Sequence, residues 1–122
     1  MSAVLLGASQ SDYLMSEQML FSHIAKNVQK GTVIECDVNS DVSIEKAFNQ
    51  IGEQFKVIHG IIHSVAFAHA EDLHNRFVET TRDGYAFAQD TSAYSLIAVT
   101  KAAKPYMTEG GSIVTMSYLG AQ

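Results

Sequence analysis

Thr32-Val33-Ile34-Glu35-Cys36-Asp37-Val38, closed by the turn formers Asn39 and Ser40, is the stretch whose reading decides the fold. Its β-branched run predicts a strand. Directly after it, Ser40 or Asp41 can cap a helix in which Ile44, Ala47, Phe48, Ile51 and Phe55 recur at helical spacing. Residues 57–66 form a second short apolar run, read as a buried strand, and polar residues 69–80 read as a loop or short helical turn. A long helix is expected over 83–107, with Lys101 and Lys104 complementing the dipole at its end and Pro105 marking its end or a kink. Gly110-Gly111 then opens a last strand at 111–116. Strand, helix, strand, helix, strand is the signature of a doubly wound parallel α/β sheet.

Upstream the signals are weaker. Ala3-Val4-Leu5-Leu6 before Gly7-Ala8-Ser9 reads as a buried strand entering a turn. Met15, Met19, Leu20, Ile24 and Val28 suggest one amphipathic helix. No internal repeat or low-complexity segment interrupts the chain.

Composition narrows the function. With 122 residues this is one domain at most, and 47% apolar against 17% charged residues suits an α/β protein whose strands are buried on both faces. A net charge of −5, with eight basic residues scattered from Lys26 to Lys104, argues against nucleic acid, which needs clustered Lys and Arg. No segment approaches the roughly 18 apolar residues of a membrane span. Cys36 is the lone cysteine, so an intrachain disulfide is excluded and a reducing cytoplasm is expected. Met1–Ser9 has no basic residue before its apolar run and is too short for a secretory signal.

Several residues invite functional readings that simpler ones outweigh. His59 and His63 are four apart, but on a strand that separation is about 13 Å, too far for one metal ion to bridge; no metal site is expected. His23, His69 and His74 read as exposed polar residues, and Cys36 as a core residue. Tyr118 is the exception. It stands where the strand at 111–116 meets its loop, and in open α/β sheets the carboxyl ends of strands face the ligand crevice.

Taken in order, the motifs resemble a known family. They are Glu35-Cys36-Asp37-Val38, His63-Ser64-Val65-Ala66-Phe67-Ala68, Thr81-Arg82-Asp83-Gly84-Tyr85, Ala88-Gln89-Asp90, Ser92-Ala93-Tyr94-Ser95-Leu96, and Glu109 to Thr115 through Tyr118-Leu119-Gly120. From about residue 31 to Gln122 the chain resembles the middle of a bacterial enoyl-acyl-carrier-protein reductase, in the short-chain dehydrogenase/reductase superfamily. The likeness implies a single partial Rossmann-like NAD(P)-binding domain over 1–122, divergent over 1–30. Its doubly wound parallel sheet with flanking helices would be incomplete at both ends.

The resemblance also implies a reaction. A hydride passes from NADH, with NADPH as the alternative, to the β-carbon of a trans-2-enoyl thioester on acyl carrier protein, in fatty-acid elongation. Asp37 and Val38 match the adenine-binding pair, Asp37 accepting from the amino group while Val38 packs the ring. Ser64, Val65 and Ala66 match the stretch under the ribose and nicotinamide, Phe67 and Ala68 the substrate-facing wall. Tyr118 matches the first of two active-site tyrosines.

Small residues along the long helix, among them Ala86, Ser92, Ser95, Ala98 and Ala102, suit packing on the chain's own sheet or the subunit interface of the family's homotetramer. The second tyrosine and the ribose-binding lysine of the family fall beyond Gln122, which leads one to expect little or no activity from these residues alone. The loss of one oxyanion donor typically costs roughly 2.7–4 kcal/mol of barrier. A non-catalytic Rossmann-like remnant or oligomerising module is the alternative.

The N-terminal part departs further. The family opens with a glycine-containing pyrophosphate turn, whereas Gly7 is the only glycine before Gly31. Residues 19–30 bear a faint likeness to the family's second strand and following helix. In the strand order 3-2-1-4-5 two strands separate the one at 32–38 from the one at 57–66. A gapped or rearranged sheet is expected if residues 1–30 do not supply both.

Overall fold

A computed structural model describes residues 4–7 and 32–117. It divides into two compact units, 1–56 and 57–122.

In the first unit, β1 (Val4–Gly7) pairs in parallel with β2 (Thr32–Glu35), Val4 opposite Thr32 and Gly7 opposite Glu35. The helix α1 (Asp41–Gln54) follows. Of the two candidate caps, Ser40 is the one used: its hydroxyl accepts the Ser43 N–H at 3.3 Å. Ile44, Ala47, Phe48 and Ile51 are all buried, as their spacing predicts, and Phe55 ends the helix half-buried. Ile34, Cys36 and Val38 point inward on alternate positions while Val33, Glu35 and Asp37 face out. That period of two extends past the hydrogen-bonded strand to residue 38.

The pairing of β1 gives the expected N-terminal strand a definite neighbour. In the order 3-2-1-4-5 the first strand adjoins the second and fourth, and the third adjoins only the second. Val4–Gly7 lies directly beside Thr32–Glu35, so it takes the second strand's place rather than that of an opening strand before a pyrophosphate turn. Residues 8–31 exceed the dozen or so that a parallel crossover requires. The helix expected there and the likeness at 19–30 lie outside the described residues.

In the second unit, β3 (Gly60–His63) pairs in parallel with β4 (Ser112–Thr115). The crossover between them carries α2 (Ala70–His74), a 3₁₀ turn at Phe77–Glu79, α3 (Arg82–Gln89) and α4 (Ser95–Ala103), ending in a 3₁₀ turn at Lys104–Tyr106 around Pro105. The long helix expected over 83–107 is therefore interrupted: between α3 and α4, Asp90–Tyr94 form a π-helical turn. Thr91, Ser95, Ala98, Val99 and Ala103 form the buried face of this helical run.

Both glycines of the turn before β4 are required, for different reasons. Gly110 has φ +79°, a left-handed conformation that side chains disfavour. At Gly111 a Cβ would strike the Met107 side chain and stand 2.8 Å from the His59 carbonyl oxygen. Among the described residues no helix is long and apolar enough to cross a membrane.

The core of the first unit can be tested directly. Phe48→Ala is expected to cost about 3–5 kcal/mol, while Val42→Ala, at a position 75% exposed, should change stability by less than about 0.5 kcal/mol. Urea unfolding of both variants checks this, and equal effects would contradict the packing described.

Candidate functional site

The carboxyl end of β3 leads into an irregular segment, residues 64–69. Ser64 and Ala66 are exposed, Val65 and Ala68 half-buried, and Phe67 is 36% exposed. Small exposed side chains at a strand's carboxyl end let a flat ligand approach the backbone. The sequence-predicted residues Ser64, Val65, Ala66, Phe67 and Ala68 are thus brought together on one short crest.

What holds this crest was not read from the sequence. His63, the last residue of β3, is 4% exposed. Its Nε2 lies 2.8 Å from Ser95 Oγ and its Nδ1 3.4 Å from Thr115 Oγ1. The Ser95 hydroxyl donates to the Thr91 carbonyl at 2.6 Å. With its proton engaged there, Ser95 Oγ accepts from His63. Burial favours the uncharged ring, and an uncharged ring that donates from Nε2 leaves Nδ1 to accept from Thr115. Burial pushes the His63 pKa down, opposed in part by a backbone hydrogen bond. The His63 carbonyl also accepts the Met116 N–H at 2.9 Å, tying the ends of β3 and β4 together.

The far side of the crest is held by Ser92. Its hydroxyl accepts the Phe67 N–H at 3.1 Å and reaches the Phe67 carbonyl at 3.3 Å. The Phe67 ring meets Phe87 of α3 edge-on, with centroids 5.9 Å apart. His69 stacks flat on the same Phe87 at 4.4 Å. His69 is exposed, as expected, and its ring also has an aromatic partner in Phe87. His59 instead faces Glu109 at 3.3 Å on the surface. The two histidines four apart therefore serve different partners, and among the described residues no cluster of three ligating groups is present.

In the first unit, Asp37 is exposed beyond the end of β2. Its Oδ1 accepts the Asn39 N–H at 2.9 Å and the Asn39 side-chain amide at 3.3 Å, which leaves Oδ2 as an acceptor. The Asp37 N–H is fixed by Ser43 Oγ at 2.9 Å. Val38 is 5% exposed, so its side chain anchors the strand end and presents little surface to a ligand. Cys36 is fully buried, and burial together with the neighbouring Asp37 charge pushes its thiol pKa up, which makes it unreactive. Tyr118, read as the catalytic tyrosine, lies outside the described residues.

An open depression of about 440 Å³ lies along His69, Ala70, Glu71, Asp72, Asn75, Glu79 and Thr81. It includes none of residues 63–68, and its three carboxylates make it a poor site for a pyrophosphate.

The chain is similar to known proteins. A family model described as enoyl-(acyl carrier protein) reductase matches residues 9–122. The chain is 42% identical over 129 residues to the enoyl-(acyl-carrier-protein) reductase (NADH) FabI of Bacillus subtilis, covering 95% of this chain and 50% of that protein. It is 47% identical over 96 residues to the NADPH-specified FabI of Staphylococcus aureus strain NCTC 8325 / PS 47, covering 79% and 38%. The crystal structure of the corresponding reductase of Anaplasma phagocytophilum in complex with NAD superposes with a TM-score of 0.82 at 28% identity, covering 98% of this chain and 44% of that one. The chain spans half or less of the length of these relatives.

The buried neutral His63 makes stability depend on pH. Its pKa is lower folded than unfolded, so the unfolded chain binds more protons once the pH falls below about 6.5. Its contribution is complete above that value and is lost as the pH falls toward the folded pKa. Urea midpoints should fall from pH 7 to pH 5, and His63→Gln should reduce that slope. Midpoints of wild type and His63→Gln that change in parallel over this range would exclude the neutral ring.

Proposed function

The chain belongs to the enoyl-(acyl carrier protein) reductase family, and on that premise we propose that it serves to reduce a trans-2-enoyl thioester on acyl carrier protein in fatty-acid elongation, with NADH or NADPH as reductant. The family match over residues 9–122 carries this reading. The bound nicotinamide would supply the hydride, delivered to the β-carbon of the enoyl thioester.

The residues present fit such a cofactor. The segment Ser64, Val65 and Ala66, with Ser64 and Ala66 exposed and both ends braced, suits the nicotinamide ribose and ring. Asp37 Oδ2 suits an exocyclic amino donor, and Val38 holds the Asp37 backbone in place from the core. Phe67, edge-on to Phe87, and Ala68 would form the wall beside the acyl chain. Tyr118, three residues beyond the end of β4, would be the first of the two active-site tyrosines, near the reacting thioester. Residues 1–122 act in this reading as one partial Rossmann-like domain in the cytoplasm. Assembly as a homotetramer belongs to the same proposal, supported by Tyr94 and Ile97, 52% and 61% exposed on the π turn and α4.

Adding NADH to the isotope-labelled chain is expected to shift the amide resonances of 64–66, and Asp37→Ala should weaken binding about tenfold or more, as loss of a charge-assisted hydrogen bond does. A parallel assay of crotonyl-thioester reduction separates catalysis from binding. Resonance shifts without reduction would leave a nicotinamide-binding module, and no shift with either NADH or NADPH would remove the cofactor reading.

A further inference from the structure

Ser92 and Ser95 sit three residues apart on and just after the π-helical turn, and they grip the two ends of one five-residue span. Ser95 Oγ takes the His63 ring at 2.8 Å and Ser92 Oγ takes the Phe67 backbone N–H at 3.1 Å. Between these anchors lie Ser64, Val65 and Ala66, none with a side-chain hydrogen bond of its own among the described residues. We propose that Ser92 and Ser95 are positioning residues that set the height and curvature of the 64–66 crest, so that the inserted π turn, and not β3 alone, defines the surface offered to the nicotinamide. This rests on the reading of 64–68 given above.

The geometry gives each serine a distinct task. Three and four residues apart are neighbours on one helical face, so both hydroxyls can point to the same side. A π turn widens the helix by one residue, and such turns recur at functional sites. The Ser95 hydroxyl donates back to the Thr91 carbonyl, a four-residue back-bond of the kind that bends helices. That donation turns Ser95 into an acceptor, which selects the Nε2–H form of His63. Ser92 meets both the donor and the acceptor of the Phe67 peptide groups. Ser95 thus fixes the entry to the crest through a buried ring, and Ser92 fixes its exit through backbone. Phe87 completes the exit by packing against the Phe67 ring.

Amide exchange measured by NMR on the 122-residue chain tests the assignment. Ser92 is half-buried, so Ser92→Ala should fold. It is expected to accelerate exchange at Phe67 about tenfold while leaving the amides in the middle of α1 and α4 unchanged, because only a local hydrogen bond is lost. Ser92→Thr keeps the hydroxyl and should restore protection. For Ser95 the wild-type chain itself gives the readout: long-range proton–nitrogen spectra should show His63 protonated on Nε2 alone, and Ser95→Ala should mix the two tautomers. The proposal is overturned by Phe67 exchange that is the same in Ser92→Ala and wild type, by equal acceleration throughout the second unit, or by a wild-type His63 protonated on Nδ1. An NADH titration of the wild type is read separately: if 64–66 do not respond, the cofactor reading fails while the exchange result still decides the role of the serines.

Discussion

The hydrogen bond from His63 to Ser95 is the constraint on which the second unit depends. It joins the last residue of β3 to the first residue of α4 in a fully buried setting. A buried imidazole without partners would be costly, and a charged one more so. Because the Thr91 carbonyl takes the Ser95 proton, Ser95 accepts from Nε2–H and Thr115 meets Nδ1, so both ring nitrogens are occupied. The π turn presents the Thr91 carbonyl to the Ser95 hydroxyl. One hydroxyl bond within the helical run therefore selects the tautomer of a residue on the neighbouring strand.

The same interruption explains how a short strand pair can carry a defined crest. β3 and β4 have four residues each, and their ladder extends just beyond them through Ser112 N–H to the His59 carbonyl and Met116 N–H to the His63 carbonyl. After His63 the backbone leaves the ladder, and irregular segments need other partners for their peptide groups. Phe67 finds its partner in Ser92. The aromatic contacts of Phe87 with Phe67 and His69 add a packed anchor to the polar one. Order at 64–68 comes from the crossover helices, far away in sequence.

Much of the secondary structure was legible because it follows from periodicity. Ile44, Ala47, Phe48 and Ile51 had to lie on one face of α1, and the alternation through Ile34, Cys36 and Val38 had to continue in extended chain. The crest could be read only as a list of family-matched residues. His63 was weighed as a metal ligand and set aside, and its actual partners are 32 and 52 residues away in sequence. The π turn did leave a trace: Asp90-Thr91-Ser92 places three poor helix formers in the middle of a helical run. Read as small residues suited to close packing, Ser92 and Ser95 concealed their hydroxyl chemistry.

β1 was harder to place for a topological reason. Val4-Leu5-Leu6-Gly7 has the composition of any buried parallel strand, and a glycine at its end suggests a turn regardless of strand order. Only the partner distinguishes one position from another. Register against Thr32–Glu35 assigns it beside the third strand of the doubly wound order. A parallel neighbour is chosen by the path of the crossover, which four residues of strand do not encode. Local sequence encodes that a segment will be a strand; the packing of other segments decides which strand it becomes.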